Sequence, residues 1–182
     1  MKKTIIVGVT GSIAAYKACD LVRSFKKTGF DVVVIMTKAA KEFVSKLTFE
    51  TLSGNSVVDD MFCSPDEWDI KHVSLAGKAS LVIIAPATAN IISKIASGIC
   101  DDSLTTIILA TKAPVIIAPA MNDNMYNNKI IQENIAKLKR HNFIFIGPVK
   151  GKLASGYEAI GHIEDTEKIA ELAKKALSLK IR

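Results

Sequence analysis

"TIIVGVTGSIAAYKACDLVRSFKKTGFDVVVIMT", residues 4–37, decides the fold. The β-branched run 4–10 reads as a short strand that stops at Gly11 and Ser12. Apolar residues then recur at helical spacing as far as Gly29, a candidate C-cap, and residues 31–37 repeat the strand signal. A strand, a helix and a second strand in succession form the unit from which parallel sheets are built.

Outward from this unit the alternation continues. "ASLVIIAPA" (79–87) reads as a strand, "TANIISKIASG" and the region around "DDSLTTIILAT" as helices, and "APVIIAPA" (113–120) as a strand. "NKIIQENIAKLKRHN" predicts a helix, "FIFIGPV" (143–149) a strand, and residues 147–156 a glycine-rich loop. A last helix, "DTEKIAELAKKALSLK", has Asp165 as its N-cap. Residues 38–78 are less regular, with a helix expected near 39–52 and a loop around Pro65. No linker or repeat interrupts the pattern, which predicts one doubly wound, parallel-sheet α/β domain over residues 1–182, Rossmann-like or flavodoxin-like.

Composition narrows the function classes. With 49% hydrophobic and 23% charged residues the chain reads as globular rather than disordered. The apolar runs 81–85 and 115–118 are too short to cross a membrane, and no signal peptide precedes the first strand, so a cytoplasmic protein is expected. Cys19, Cys63 and Cys100 are odd in number and widely spaced, and His72, His141 and His162 lack ligand spacing, which predicts neither a disulfide framework nor a metal. The formal charge of +6 is spread along amphipathic segments without an aromatic-interleaved basic block, arguing against a nucleic-acid partner but leaving room for a phosphate-bearing ligand.

Ligands of such sheets bind beyond the carboxyl ends of the strands. Those ends carry "TGS" (10–12), "MT" (36–37), "PATAN" (86–90), "PAMN" (119–122) and "GPVKGKLASG" (147–156), all rich in small residues, hydroxyls and amides. Gly8, Gly11 and Ser12 lie at a strand-to-helix junction, where bare amides suit a phosphate. The sequence from Gly8, "GVTGSIAA", is not the dinucleotide fingerprint, and no acidic residue ends the second strand. The hydroxyls of Ser12 and Thr37 favour a mononucleotide phosphate. "PATAN" either edges a planar ring or starts a helix, with Thr88 or Asn90 as its cap.

"GSIAAYK", "PATANIISKIASGICDDSLTT" and "PAMNDNM", in this order and on these elements, resemble the homo-oligomeric flavin-containing cysteine decarboxylases, over about residues 3 to 170. That family includes phosphopantothenoylcysteine decarboxylase and the peptidyl-cysteine decarboxylases of lantibiotic biosynthesis. The resemblance implies bound FMN, with its phosphate near Gly11, Ser12, Ile13 and Thr37 and its ring near Pro86, Ala87, Thr88, Ala89, Asn90 and Thr105. It also implies a homotrimer or a dodecamer gathered from trimers. Bifunctional members carry a C-terminal synthetase domain; none is expected in residues 1–182.

The family's reaction oxidises the substrate thiol carbon at the flavin, so that the resulting C=S accepts the electrons as carbon dioxide leaves and an ene-thiolate forms. By position His72 matches the family's essential histidine, suited to take the thiol proton. Asn122 matches the asparagine that holds the substrate carboxylate, with Met121, Met125 and Ala154 as further substrate contacts. The match departs at "LASGYEAIGHI": Ser155 stands where phosphopantothenoylcysteine decarboxylases have the cysteine that donates a proton in the reductive step, and His162 stands for an arginine. Lys150 and Lys152 border this loop, as a phosphorylated substrate would favour. The expected activity is FMN-dependent decarboxylation of 4′-phosphopantothenoylcysteine in coenzyme A biosynthesis. The alternatives are a peptidyl-cysteine decarboxylase that stops at the ene-thiol, a flavin prenyltransferase, or a regulatory flavoprotein without catalysis.

Overall fold

The computed structural model describes residues 2–60 and 71–179. Strands β1 (Thr4–Val9), β2 (Asp31–Met36), β3 (Ala79–Ala87), β4 (Val115–Pro119) and β5 (Ile144–Phe145) form a five-stranded sheet in the order β2-β1-β3-β4-β5. Every pairing in it is parallel. Helices α1 (Ala18–Lys27), α2 (Lys46–Ser53), α3 (Lys71–Lys78), α4 (Ala89–Ser97), α5 (Ser103–Ala110), α6 (Asp123–Asn127), α7 (Lys129–Arg140) and α8 (Thr166–Leu179) intervene or follow. Strands β6 (Val149–Lys152) and β7 (Glu158–His162) form a separate antiparallel hairpin. This order is the flavodoxin-like version of the doubly wound fold.

Strand periodicity sorts the core into two layers. Ile5, Val7 and Val9, with Leu81 and Ile83, point to one face and pack with Leu21, Val22 and Phe25 of α1 and Ile169 and Ala173 of α8. The intervening Ile6, Val82 and Ile84 point to the other face, against Ile91 and Ile92 of α4, Leu104 and Ile107 of α5 and Leu138 of α7. Both faces are therefore covered, which is why these strands read as unbroken apolar runs. Short polar side chains cap the helices: Ser45 for α2, Thr88 for α4, Asp102 for α5 and Asn128 for α7. Asp165 accepts from the Glu167 amide at 2.7 Å, as its expected capping role requires.

Three expectations need correction. The strand expected over 143–149 is divided: β5 stops at Phe145, Gly147 takes a left-handed φ of 72°, and Pro148 has no N–H to continue the ladder. The glycine-rich loop expected over 147–156 is largely the β6–β7 hairpin, whose alternation of half-buried and exposed residues is masked by the glycine and lysines of "VKGK". The helix expected near 39–52 is a 3₁₀ turn, Lys38–Glu42, followed by α2, with Ser45 restarting the helix. Pro65 lies outside the described residues.

Candidate functional site

The sheet order reverses direction at β1 and β3, and the loops that leave their carboxyl ends diverge there to open a crevice. A cleft of about 500 Å³ occupies it, walled by Thr10, Gly11 and Ser12 after β1, Thr37, Lys38 and Ala39 after β2, and Thr88 to Ile91 after β3. Asp102, Lys94, Ala120, Met121 and Met125 complete the lining. The loops after β1 and β2 meet closely. A Cβ on Gly11 would run into the Cβ of Ala39, so only glycine allows this approach.

The hydroxyls of the cleft have defined duties. Ser12 Oγ accepts from the Ala14 amide at 3.3 Å and Thr37 Oγ1 from the Ala40 amide at 3.3 Å, each capping a 3₁₀ turn. A hydroxyl that accepts still has its proton to donate, and neither donates it among the described residues. Thr10 is buried and is committed instead: its Oγ1 donates to the Pro86 carbonyl at 2.7 Å and accepts from the Thr88 amide at 3.2 Å. Asp102 and Thr105 form a reciprocal capping box, in which the Asp102 carboxylate accepts the Thr105 amide at 2.8 Å. Lys94 is neutralised by Asp101 at 2.7 Å.

A second cavity of about 220 Å³ adjoins the first and shares Ser12, Ala120 and Met121 with it. Its other lining comes from Ile13, Asn122 and the β6–β7 hairpin, including Lys152, Ala154, Ser155 and His162. Gly161 seats the hairpin. Its φ is 133°, its carbonyl accepts the Met121 amide at 3.1 Å, and an added Cβ would collide with the Met121 carbonyl oxygen. The His162 ring donates from Nδ1 to the Ile163 carbonyl at 2.8 Å, which leaves Nε2 to accept from Lys17 Nζ at 3.3 Å.

The structure thus brings most sequence-predicted positions to two joined cavities. Gly11, Ser12, Thr37, Thr88, Ala89, Asn90, Met121 and Met125 line the larger; Ile13, Met121, Asn122, Ala154 and Ser155 line the smaller. Pro86 and Ala87 are buried in β3 beneath the cleft, and Thr105 is fully buried behind Asp102; none of the three lines either of these two cavities. His72 falls in α3, and its side chain lies outside the described ones. Sequence reasoning passed over Lys38, Lys94 and Asp102 in the cleft wall and the hydroxyl of Thr10. The signal for Thr10 was its place in "TGS" at a strand end, and for Asp102 its capping spacing to Thr105.

A family model described as Flavoprotein matches residues 1–178. The chain belongs to the Flavoprotein family. This flavoprotein is 46% identical over 173 residues to the coenzyme A biosynthesis bifunctional protein CoaBC of Bacillus subtilis, covering 95% of this chain and 43% of that protein. It therefore spans less than half the length of the curated relatives it matches. Among solved structures it is similar to a PPC decarboxylase mutant complexed with pantothenoylaminoethenethiol, with a TM-score of 0.87 and 30% identity over 96% of this chain and 98% of that one. It is also similar to the FMN-dependent cysteine decarboxylase SpaF, with a TM-score of 0.83 and 27% identity over 97% of each chain.

Proposed function

We propose that this flavoprotein binds FMN in the larger cleft and decarboxylates the C-terminal cysteine carboxylate of 4′-phosphopantothenoylcysteine, a step of coenzyme A biosynthesis. The observation that carries the reading is the pair of cavities with a common wall at Ser12, Ala120 and Met121, one sized for a cofactor and the other bordered by Asn122 and Ser155. The names of the relatives point the same way: CoaBC belongs to coenzyme A biosynthesis, and SpaF is an FMN-dependent cysteine decarboxylase.

The residues present fit FMN. The larger cleft lies within the roughly 300–1,000 Å³ of small-molecule sites. Gly11 leaves the backbone bare where Ser12 and Thr37 have hydroxyl protons to donate, which suits a phosphate, and Lys38 adds a positive charge beside them. Thr88, Ala89 and Asn90 edge the space for a ring; Thr10 braces that wall from behind, and Thr105 holds Asp102 of the cleft lining. When bound, FMN supplies the two-electron oxidation of the thiol carbon that makes loss of the carboxylate feasible.

The chain's own residues bind the substrate and manage protons. Asn122 holds the carboxylate through a neutral amide, which grips the anion without the full positive charge that would stabilise it against decarboxylation. Met121, Met125 and Ala154 supply apolar contacts, and His72 takes the thiol proton. Ser155 occupies the hairpin tip, where its hydroxyl is a poor proton donor to a carbon centre. Ile13, 61% exposed, and Met125, 49% exposed, stand at the rims of the cavities, and their cover is a neighbouring copy in a homotrimer or a dodecamer of trimers. The reading is of one cytoplasmic flavoprotein domain.

The test is carbon dioxide release by FMN-loaded protein from phosphopantothenoylcysteine and, in parallel, from a peptide ending in cysteine, with product masses. Release from the first alone supports the proposal. Release from the peptide alone transfers the assignment to the peptidyl-cysteine reaction, and release from neither overturns it. His72→Asn is expected to retain flavin and lose turnover.

A further inference from the structure

Tyr157 sits just beyond the hairpin tip, in a tight turn closed by the Leu153 amide on the Tyr157 carbonyl at 2.9 Å. Its hydroxyl donates to Asp123 Oδ1 at 2.6 Å and lies 3.2 Å from Asn122 Nδ2, which donates to it. The direction of this chain of bonds is forced. A carboxylate only accepts, so the phenol must spend its single proton on Asp123 and can offer Asn122 nothing but a lone pair. Asn122 must then present its NH₂ group toward Tyr157. Its other end is determined too, because Asn122 Oδ1 accepts the Asn124 amide at 3.0 Å as the cap of α6.

An asparagine amide is nearly symmetric in shape, and the two ends differ only in hydrogen bonding. One N–H of Asn122 goes to Tyr157, and the second remains for the cavity that Asn122 lines. Reversed, the same side chain would confront an anion with a carbonyl oxygen. We infer that Tyr157, polarised by Asp123, is a positioning residue that fixes the donor orientation of Asn122 and so selects a carboxylate-bearing substrate. The inference rests on the proposed role of Asn122.

Two probes separate the roles of Tyr157. S-methylated phosphopantothenoylcysteine keeps the carboxylate but has no thiol to oxidise; 4′-phosphopantetheine lacks the carboxylate. Both are titrated calorimetrically into FMN-loaded wild type, Tyr157→Phe and Asn122→Ala, with flavin content as a check on the fold. Tyr157→Phe keeps the ring and removes both hydrogen bonds. It is expected to weaken the carboxylate probe by about tenfold, the worth of one hydrogen bond to a charged group, and to leave 4′-phosphopantetheine and flavin content unchanged. Equal weakening of both probes would mean that Tyr157 only props the hairpin, and no weakening of either would mean that Asn122 orients itself; each result overturns the inference while the role of Asn122 stands. If Asn122→Ala binds the carboxylate probe as wild type does, the role of Asn122 falls and the inference falls with it.

Discussion

The Thr10 hydroxyl donates to the Pro86 carbonyl at 2.7 Å and receives the Thr88 amide at 3.2 Å, so one buried side chain ties the carboxyl end of β1 to that of β3. These are the two strands between which the crevice opens. Thr10→Val preserves shape but strands the Thr88 amide without its partner. It is expected to cost about 1–3 kcal/mol in urea unfolding and to weaken FMN binding, whereas Thr10→Ser retains both. Unchanged flavin affinity in Thr10→Val would show that this tie does not set the cleft wall.

Gly161 and Met121 test the seating of the hairpin. Alanine at 161 would meet the Met121 carbonyl and would have to adopt a left-handed φ, a conformation that costs of the order of 1–3 kcal/mol for a side-chain-bearing residue. Gly161→Ala is expected to lower the melting temperature and to weaken substrate binding by more than flavin binding, because Gly161 borders the smaller cavity and not the larger. Fluorescence titration with FMN and calorimetry with substrate measure the two separately.

Asp59 gives a pH dependence with a definite sign. Burial by itself would raise its carboxyl pKa, but hydrogen bonds from Lys41 at 2.8 Å and Lys46 at 2.9 Å, together with their charges, hold it below the ordinary aspartate value. A carboxylate that is more acidic when folded contributes stability above its unfolded pKa and loses it as pH falls through the folded one. The stability advantage of wild type over Asp59→Asn should therefore be full near neutrality and shrink below about pH 4, where aspartates begin to protonate. Lys41 belongs to the 3₁₀ turn whose cap Thr37 and first residues Lys38 and Ala39 line the larger cleft, so Asp59→Asn should also release FMN more readily. Urea unfolding across pH and flavin retention on dialysis measure these effects.

Most of the sheet was legible because both of its faces are buried, which leaves runs such as residues 81–87 with no polar interruption. The cleft was legible because strand ends in this fold converge, and Gly11, Ser12, Thr37 and the 88–90 segment are all strand-end residues. Thr105 was harder to place: a threonine near a helix start reads equally as a ligand contact or a cap, and Asp102 three residues before it takes its hydroxyl proton. The hairpin escaped because Val149–Lys152 carries a glycine and two lysines, and edge-like polar strands have little apolar signal. No local pattern could have revealed Tyr157, whose partner Asn122 lies 35 residues away in the chain.

The central claim is that this chain uses flavin to decarboxylate a C-terminal cysteine. Ser155 makes that claim observable, since a hydroxyl is a much weaker acid than a thiol and serves poorly to return a proton to carbon. An anaerobic single turnover of FMN-loaded protein with phosphopantothenoylcysteine, followed by flavin absorbance and carbon dioxide release, tests it most directly. The account predicts release of carbon dioxide in proportion to flavin, with bleaching that persists in wild type and recovers in Ser155→Cys. Intact substrate and unbleached flavin after mixing would contradict it.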